Sequence, residues 1–127
     1  VNCTRLIYKM EKGAMRKLNS FMNSFFPIII SLITNIRFTD TLCGTKVFDK
    51  KFISKINTWK KMQKNLDPFG DFDMLFSAVY FSEKVAEYPI RYKSRKYGTT
   101  QINRFRDGFR LIIYLIFSIY NLNVSKT

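Results

Sequence analysis

The chain has 127 residues, enough for one small domain. Twenty-two Lys and Arg against nine Asp and Glu give a net charge of +13, and there is no His. The missing imidazole excludes Ser-His and Cys-His nucleophile pairs and the commonest metal ligand, and Cys3 and Cys43 alone are too few for a zinc site.

Residues 1–8 read as a strand entering a loop, and a polar turn follows at 9–13. Val1 opens directly into this apolar-rich run, so a processed or truncated chain is expected. From position 14 a helix is predicted, because Met15, Leu18, Met22 and Phe25 recur at helical spacing. Pro27 should kink or divide it. The stretch 21–36 is too short and interrupted for a membrane span, which needs roughly 20 mostly apolar residues.

Val47 and Phe48 can form a short strand, and 50–59 a short helix. Asp67-Pro68-Phe69-Gly70 is turn chemistry. A helix starts near Asp71, with Phe72, Leu75, Phe76, Val79 and Tyr80 on one apolar face. Residues 84–92 read as a strand that Pro89 restricts to an edge or a bulge. The last helix covers 103–122, leaving a tail at 123–127. It begins basic and aromatic, with Arg104, Phe105, Arg106, Phe109 and Arg110, and becomes apolar almost all round over 111–119. Such a helix must be buried in protein or in lipid, and both remain open. There is no internal repeat, and one domain is expected.

The charge favours nucleic acid, acidic headgroups or phosphorylated substrates, or else describes a Lys-rich solvated surface. Thirteen Phe and seven Tyr exclude a disordered basic tail. A nucleic-acid module is not favoured, since no zinc spacing, RNA-recognition signature or helix-turn-helix is visible. The two cysteines read as reduced thiols in a cytosolic setting, or as one disulfide.

Two segments carry candidate phosphate chemistry. In Cys43-Gly44-Thr45-Lys46, Gly44 permits close backbone approach and Lys46 can neutralise an anionic oxygen. In Arg95-Lys96-Tyr97-Gly98-Thr99-Thr100, Arg95 can hold a phosphate bidentately, Gly98 can let the loop fold over a ligand, and Tyr97 and Thr100 can contact it. Either segment alone also reads as an exposed basic turn. Asp71 and Asp73 have Asp-x-Asp spacing, but they open an apolar-faced helix instead of ending a strand. They read as acids at a helix N-terminus, with an acceptor-side or catalytic carboxylate as the alternative.

In this order the segments resemble the C-terminal half of a family-2 glycosyltransferase of the dolichol-phosphate mannose synthase-like kind. Val1-Asn2-Cys3-Thr4-Arg5 is similar to that family's strand and Gly-x-Arg turn, with Cys3 where Gly is usual. Arg16 and Asn19, here spaced Arg-x-x-Asn, fall in the helix where that family carries an Arg-x-x-x-Asn-like pattern. Asp40-x-x-Cys43-Gly44-Thr45-Lys46 resembles Asp-x-x-Ser-Gly-Phe-Arg. Pro89-Ile90-x-Tyr92-x-x-Arg95-x-Tyr97-Gly98-x-Thr100 resembles the Pro-x-x-Tyr/Phe-x-x-Arg-x-x-Gly-x-Ser motif.

The resemblance implies an α/β chain, the C-terminal half of a Rossmann-like GT-A fold spanning 1–122 with a terminal apolar helix. It implies a glycosyltransferase fragment, inactive without its N-terminal half. The complete enzyme would move sugar from a nucleotide-sugar to an acceptor such as a polyprenyl phosphate, at the cytoplasmic face of a membrane. Arg5, Lys46 and Arg95 would clamp phosphates. Asp40 would orient its loop or act near the acceptor, and Asp73 would fall near an acidic position flanking the site. A divalent cation, Mg or Mn, would belong to the complete enzyme, with ligands outside this chain.

Overall fold

A computed structural model describes residues 1–9, 17–93, 96–98 and 104–126. In chain order the elements are β1 (Asn2–Thr4), α1 (Lys17–Thr34), α2 (Phe52–Met62), α3 (Asp71–Tyr80), β2 (Glu87–Pro89) and α4 (Arg104–Lys126). They fall into two compact units. The first combines Val1–Val47 with Val85–Thr99, and the second combines Phe48–Lys84 with Thr100–Thr127.

The first unit is built on β1 and β2, which pair in parallel with Asn2 opposite Glu87, Cys3 opposite Tyr88 and Thr4 opposite Pro89. The amide of Asn2 donates to the Ala86 carbonyl at 2.8 Å. The next amide, Cys3, points the other way and donates to Thr45 at 3.1 Å. Residues 45–47 thus lie along the opposite edge of β1, with an antiparallel bridge between Asn2 and Lys46. The short strand expected at Val47 and Phe48 is this extended piece, one to two residues earlier.

The expected Rossmann-like α/β fold is not what forms. The described residues make four helices and one two-stranded sheet, with three residues per strand. Both predicted strands stop early. After Thr4, the Arg5 amide leaves the ladder and donates to the Asp40 carboxylate at 3.0 Å. In β2, Pro89 has no N–H to offer a further neighbour, which suits an edge strand.

Helix α1 runs through Pro27 instead of dividing there, at the cost of one backbone hydrogen bond. Its predicted start at 14–16 lies outside the described residues. Its buried face also differs from the expected one. Asn23, Phe26 and Ile30 are buried, while Phe25 is exposed. The inward position of Asn23 follows from its bond to Arg5, which turns the inner face one residue along the helix.

The second unit packs aromatics from three helices. Trp59 of α2 stacks on Phe76 of α3 with centroids 6.1 Å apart. Tyr114 of α4 meets Phe72 at 5.8 Å and Phe76 at 5.7 Å. Trp59, Phe72, Phe76 and Tyr114 are fully buried. Full burial of one such ring stabilises by roughly 1.5–3 kcal/mol.

Helix α3 has the start expected near Asp71, but another residue caps it. Asp67 Oδ2 accepts the amides of Phe72 at 2.8 Å and Asp73 at 2.9 Å. Gly70, at φ 81, makes the left-handed turn that brings Asp67 back over the helix end.

Candidate functional site

Arg5 follows β1 directly, and its side chain gathers three parts of the first unit. Its Nε donates to Asp40 Oδ2 at 2.7 Å, and its Nη2 donates to Asp40 Oδ1 at 2.9 Å. Nη2 also reaches Asn23 Oδ1 of α1 at 2.8 Å. The Tyr92 ring covers the guanidinium, with Cζ 5.2 Å from the ring centroid. Burial disfavours the charged guanidinium, but the hydrogen bonds and charge of Asp40 outweigh it and raise the Arg5 pKa further.

Asp40 is fully buried. Besides the Arg5 bonds, its Oδ1 accepts the Leu42 amide at 3.2 Å, which bends the loop locally. Its backbone carbonyl accepts Asn2 Nδ2 at 2.7 Å.

Glu87 of β2 holds the same loop from the other side. Its carboxylate accepts the Thr39 amide at 3.0 and 3.1 Å and Asn2 Nδ2 at 3.0 Å. Thr39 Oγ1 lies 2.8 Å from both Glu87 Oε2 and Thr4 Oγ1. Glu87 is a candidate residue that no sequence motif marked. The available signal was a carboxylate inside a strand pattern, where Glu is depleted.

The remaining candidates divide. Lys46 is half-buried, and its Nζ donates to the Cys43 carbonyl. Cys3 and Cys43 are buried free thiols. Gly98 has φ 75, which only glycine adopts without strain, and Tyr97 is 87% exposed. Arg95 and Thr100 lie outside the described residues. Arg91, a basic residue outside the motif positions, sits over the Tyr8 ring at 5.6 Å.

No protein-family model, curated protein or solved structure matches the chain.

Asp73 belongs to the second unit and is fully buried there. Tyr114 Oη donates to its Oδ1 at 2.8 Å and accepts Trp59 Nε1 at 2.7 Å. Asp73 Oδ2 has no hydrogen-bond partner among the described residues. Burial pushes the Asp73 pKa up to about 6; the Tyr114 bond opposes this, the nearby Asp67 charge adds to it and Lys60 opposes it. The Tyr114 phenol is also pushed up, first by burial and then by the Asp73 charge, so it remains a donor. Among the described residues no group of three or more His, Cys, Asp or Glu could hold a metal ion.

Proposed function

We propose that this chain is the acceptor-side part of a glycosyltransferase, and that its first unit holds an anionic acceptor, a polyprenyl phosphate, for sugar transfer from a nucleotide-sugar. The observation that carries this reading is the dual contact of Arg5. One side chain is bonded to Asp40, of the motif Asp40 to Lys46, and covered by Tyr92, of the motif that begins at Pro89. Two loops that are each weak as motifs thus meet at one residue.

In this reading Arg5 is a positioning residue, because Asp40 and Asn23 occupy its Nε and Nη2. The acceptor phosphate meets Lys46, Arg91, Lys93 and Lys96, all in the first unit. A lipid phosphate is already anionic at neutral pH, so attack on the sugar needs little help from a general base. The protein's task is to offset phosphate repulsion and to align the two substrates. A chain without His can do this. The cation implied by the family resemblance has no ligand set among the described residues, and the donor side would come from outside this chain.

The test is a titration of the chain with a water-soluble short-chain prenyl phosphate, with inorganic phosphate as the charge control. Saturable binding is expected, weakened about tenfold by Lys46→Ala, as for loss of one charge-assisted bond. Absence of saturable binding, or equal binding by Lys46→Ala, defeats the reading.

A further inference from the structure

Helix α4 is apolar on two faces. Its inner face buries Leu111, Tyr114, Leu115, Ser118 and Leu122. Phe105, Phe109, Ile112, Ile116, Ile119 and Tyr120 recur at helical spacing on the other side, all exposed, with Phe105 at 85% and Ile116 at 62%. No charged residue occurs between Arg110 and Lys126. At the N-terminal end the stripe is flanked by Arg106, whose side chain is 74% exposed. Asp107 is the helix's one acid, and it lies on the inner face.

A water-facing helix surface is ordinarily polar, and a continuous apolar stripe marks a surface that is covered in use. We infer that α4 lies in the plane of an anionic lipid surface, with the Phe105–Tyr120 stripe among the acyl chains and Arg106 and Arg110 at the phosphate level. Charge selects this occupant. At +13, two copies of the chain repel each other, whereas an anionic headgroup layer attracts each copy. The aromatic and Arg-rich start, followed by an aliphatic middle and Tyr120, is the composition of an interfacial helix. No helix of the described residues is long and apolar enough to cross a membrane. The inner face of α4 is already buried in protein, so only the outer stripe is open to lipid, and that seats the helix along the surface. The inference goes beyond the sugar-transfer reading and rests on α4 and the net charge of the chain.

The test is flotation of the whole chain with phosphatidylcholine vesicles, with and without phosphatidylglycerol. Binding is expected to be stronger to the anionic vesicles and to weaken with salt. Phe109→Ser with Ile116→Ser should lower partitioning about tenfold or more, in line with two lost apolar anchors. Trp59 fluorescence should stay unchanged, showing that the second unit is still folded. Arg106→Gln with Arg110→Gln should remove the preference for anionic vesicles while leaving weak binding to neutral ones. As a control for general stickiness, Ile28→Ser with Leu32→Ser alters two exposed apolar residues of α1 and should leave flotation unchanged. Equal flotation by the α4 apolar variant and the parent chain overturns the inference. So does an equal loss in the α1 variant. Lipid-free dimerisation that the α4 variant abolishes would assign the stripe to a second copy, and oligonucleotide binding abolished by that variant would assign it to nucleic acid; either result overturns the inference.

Discussion

Arg5 grips Asp40 along two parallel bonds, Nε to Oδ2 at 2.7 Å and Nη2 to Oδ1 at 2.9 Å, and the Arg5 amide adds a third at 3.0 Å. The residues are 35 positions apart, so the pair fixes the 35–46 loop against the end of β1. The Asp40 side chain is fully buried and that of Arg5 is 12% exposed, so removing one partner strands a charge away from water.

Asp40→Ala should therefore destabilise the first unit by about 3–5 kcal/mol. Cys3 and Cys43 are buried in that unit and report its opening. Their reaction with a thiol reagent should accelerate by at least about a hundredfold. Arg5→Lys should lie between parent and Asp40→Ala, since an ammonium keeps the charge and loses the fork. Thiol reactivity unchanged in Asp40→Ala would show that the pair does not hold the loop.

Asp73 makes the second unit sensitive to pH. Its folded pKa of about 6 exceeds its ordinary value of 3.8, so the folded state holds the proton more tightly. The resulting stabilisation is complete below about pH 4 and is lost as pH rises through about 6. By pH 7 the loss approaches about 3 kcal/mol. The sole tryptophan, Trp59, lies beside this site and monitors unfolding directly. Asp73→Asn should remove this component, so the stability difference between variant and parent should grow from pH 4 to pH 7. A constant difference would contradict the assignment.

Tyr114 stands between two buried polar groups. Tyr114→Phe keeps the ring contacts but leaves Trp59 Nε1 and Asp73 Oδ1 without this partner. A loss of about 1–3 kcal/mol is expected by denaturant titration, with a shifted Trp59 emission. Emission and stability equal to the parent would rule out the Trp59–Tyr114–Asp73 chain.

Gln63 offers the opposite case. It is fully buried, and neither its Nε2 nor its Oε1 has a hydrogen-bond partner among the described residues. Gln63→Met keeps similar length and removes both polar atoms, so it should stabilise the second unit by about 1 kcal/mol or more. A lower melting temperature would mean that the amide is satisfied in solution.

Asp67, three residues before the N-cap Gly70, accepts the first-turn amides of Phe72 and Asp73 in α3. Asp67→Ala should cost about 1 kcal/mol. Asp67→Asn should recover most of it, because a neutral amide oxygen accepts the same bonds. Equal losses in both variants would point to the charge as the source of the effect.

Local features were legible in the sequence because their causes are local. The α3 start near Asp71 follows from turn chemistry and a helical period, and its Phe72, Leu75 and Phe76 are buried as that period requires. The α2 and α4 cores are also close to their predicted ranges. The buried face of α1 was not legible, because the Asn23 amide turns inward for a guanidinium 18 positions earlier. Glu87 was hidden for a similar reason, since its partners Asn2 and Thr39 are 85 and 48 positions away.

The sequence by itself determined where helices form, where turns fall, that imidazole chemistry is absent and that the chain is strongly cationic. These depend on residue type and short-range period. Tertiary structure decided that the strand patterns shrink to three paired residues each, that Arg5 serves Asp40, and that Asp73 sits buried against Tyr114. A buried charge or amide must find its partner wherever the fold supplies one, and that search takes no account of separation along the chain.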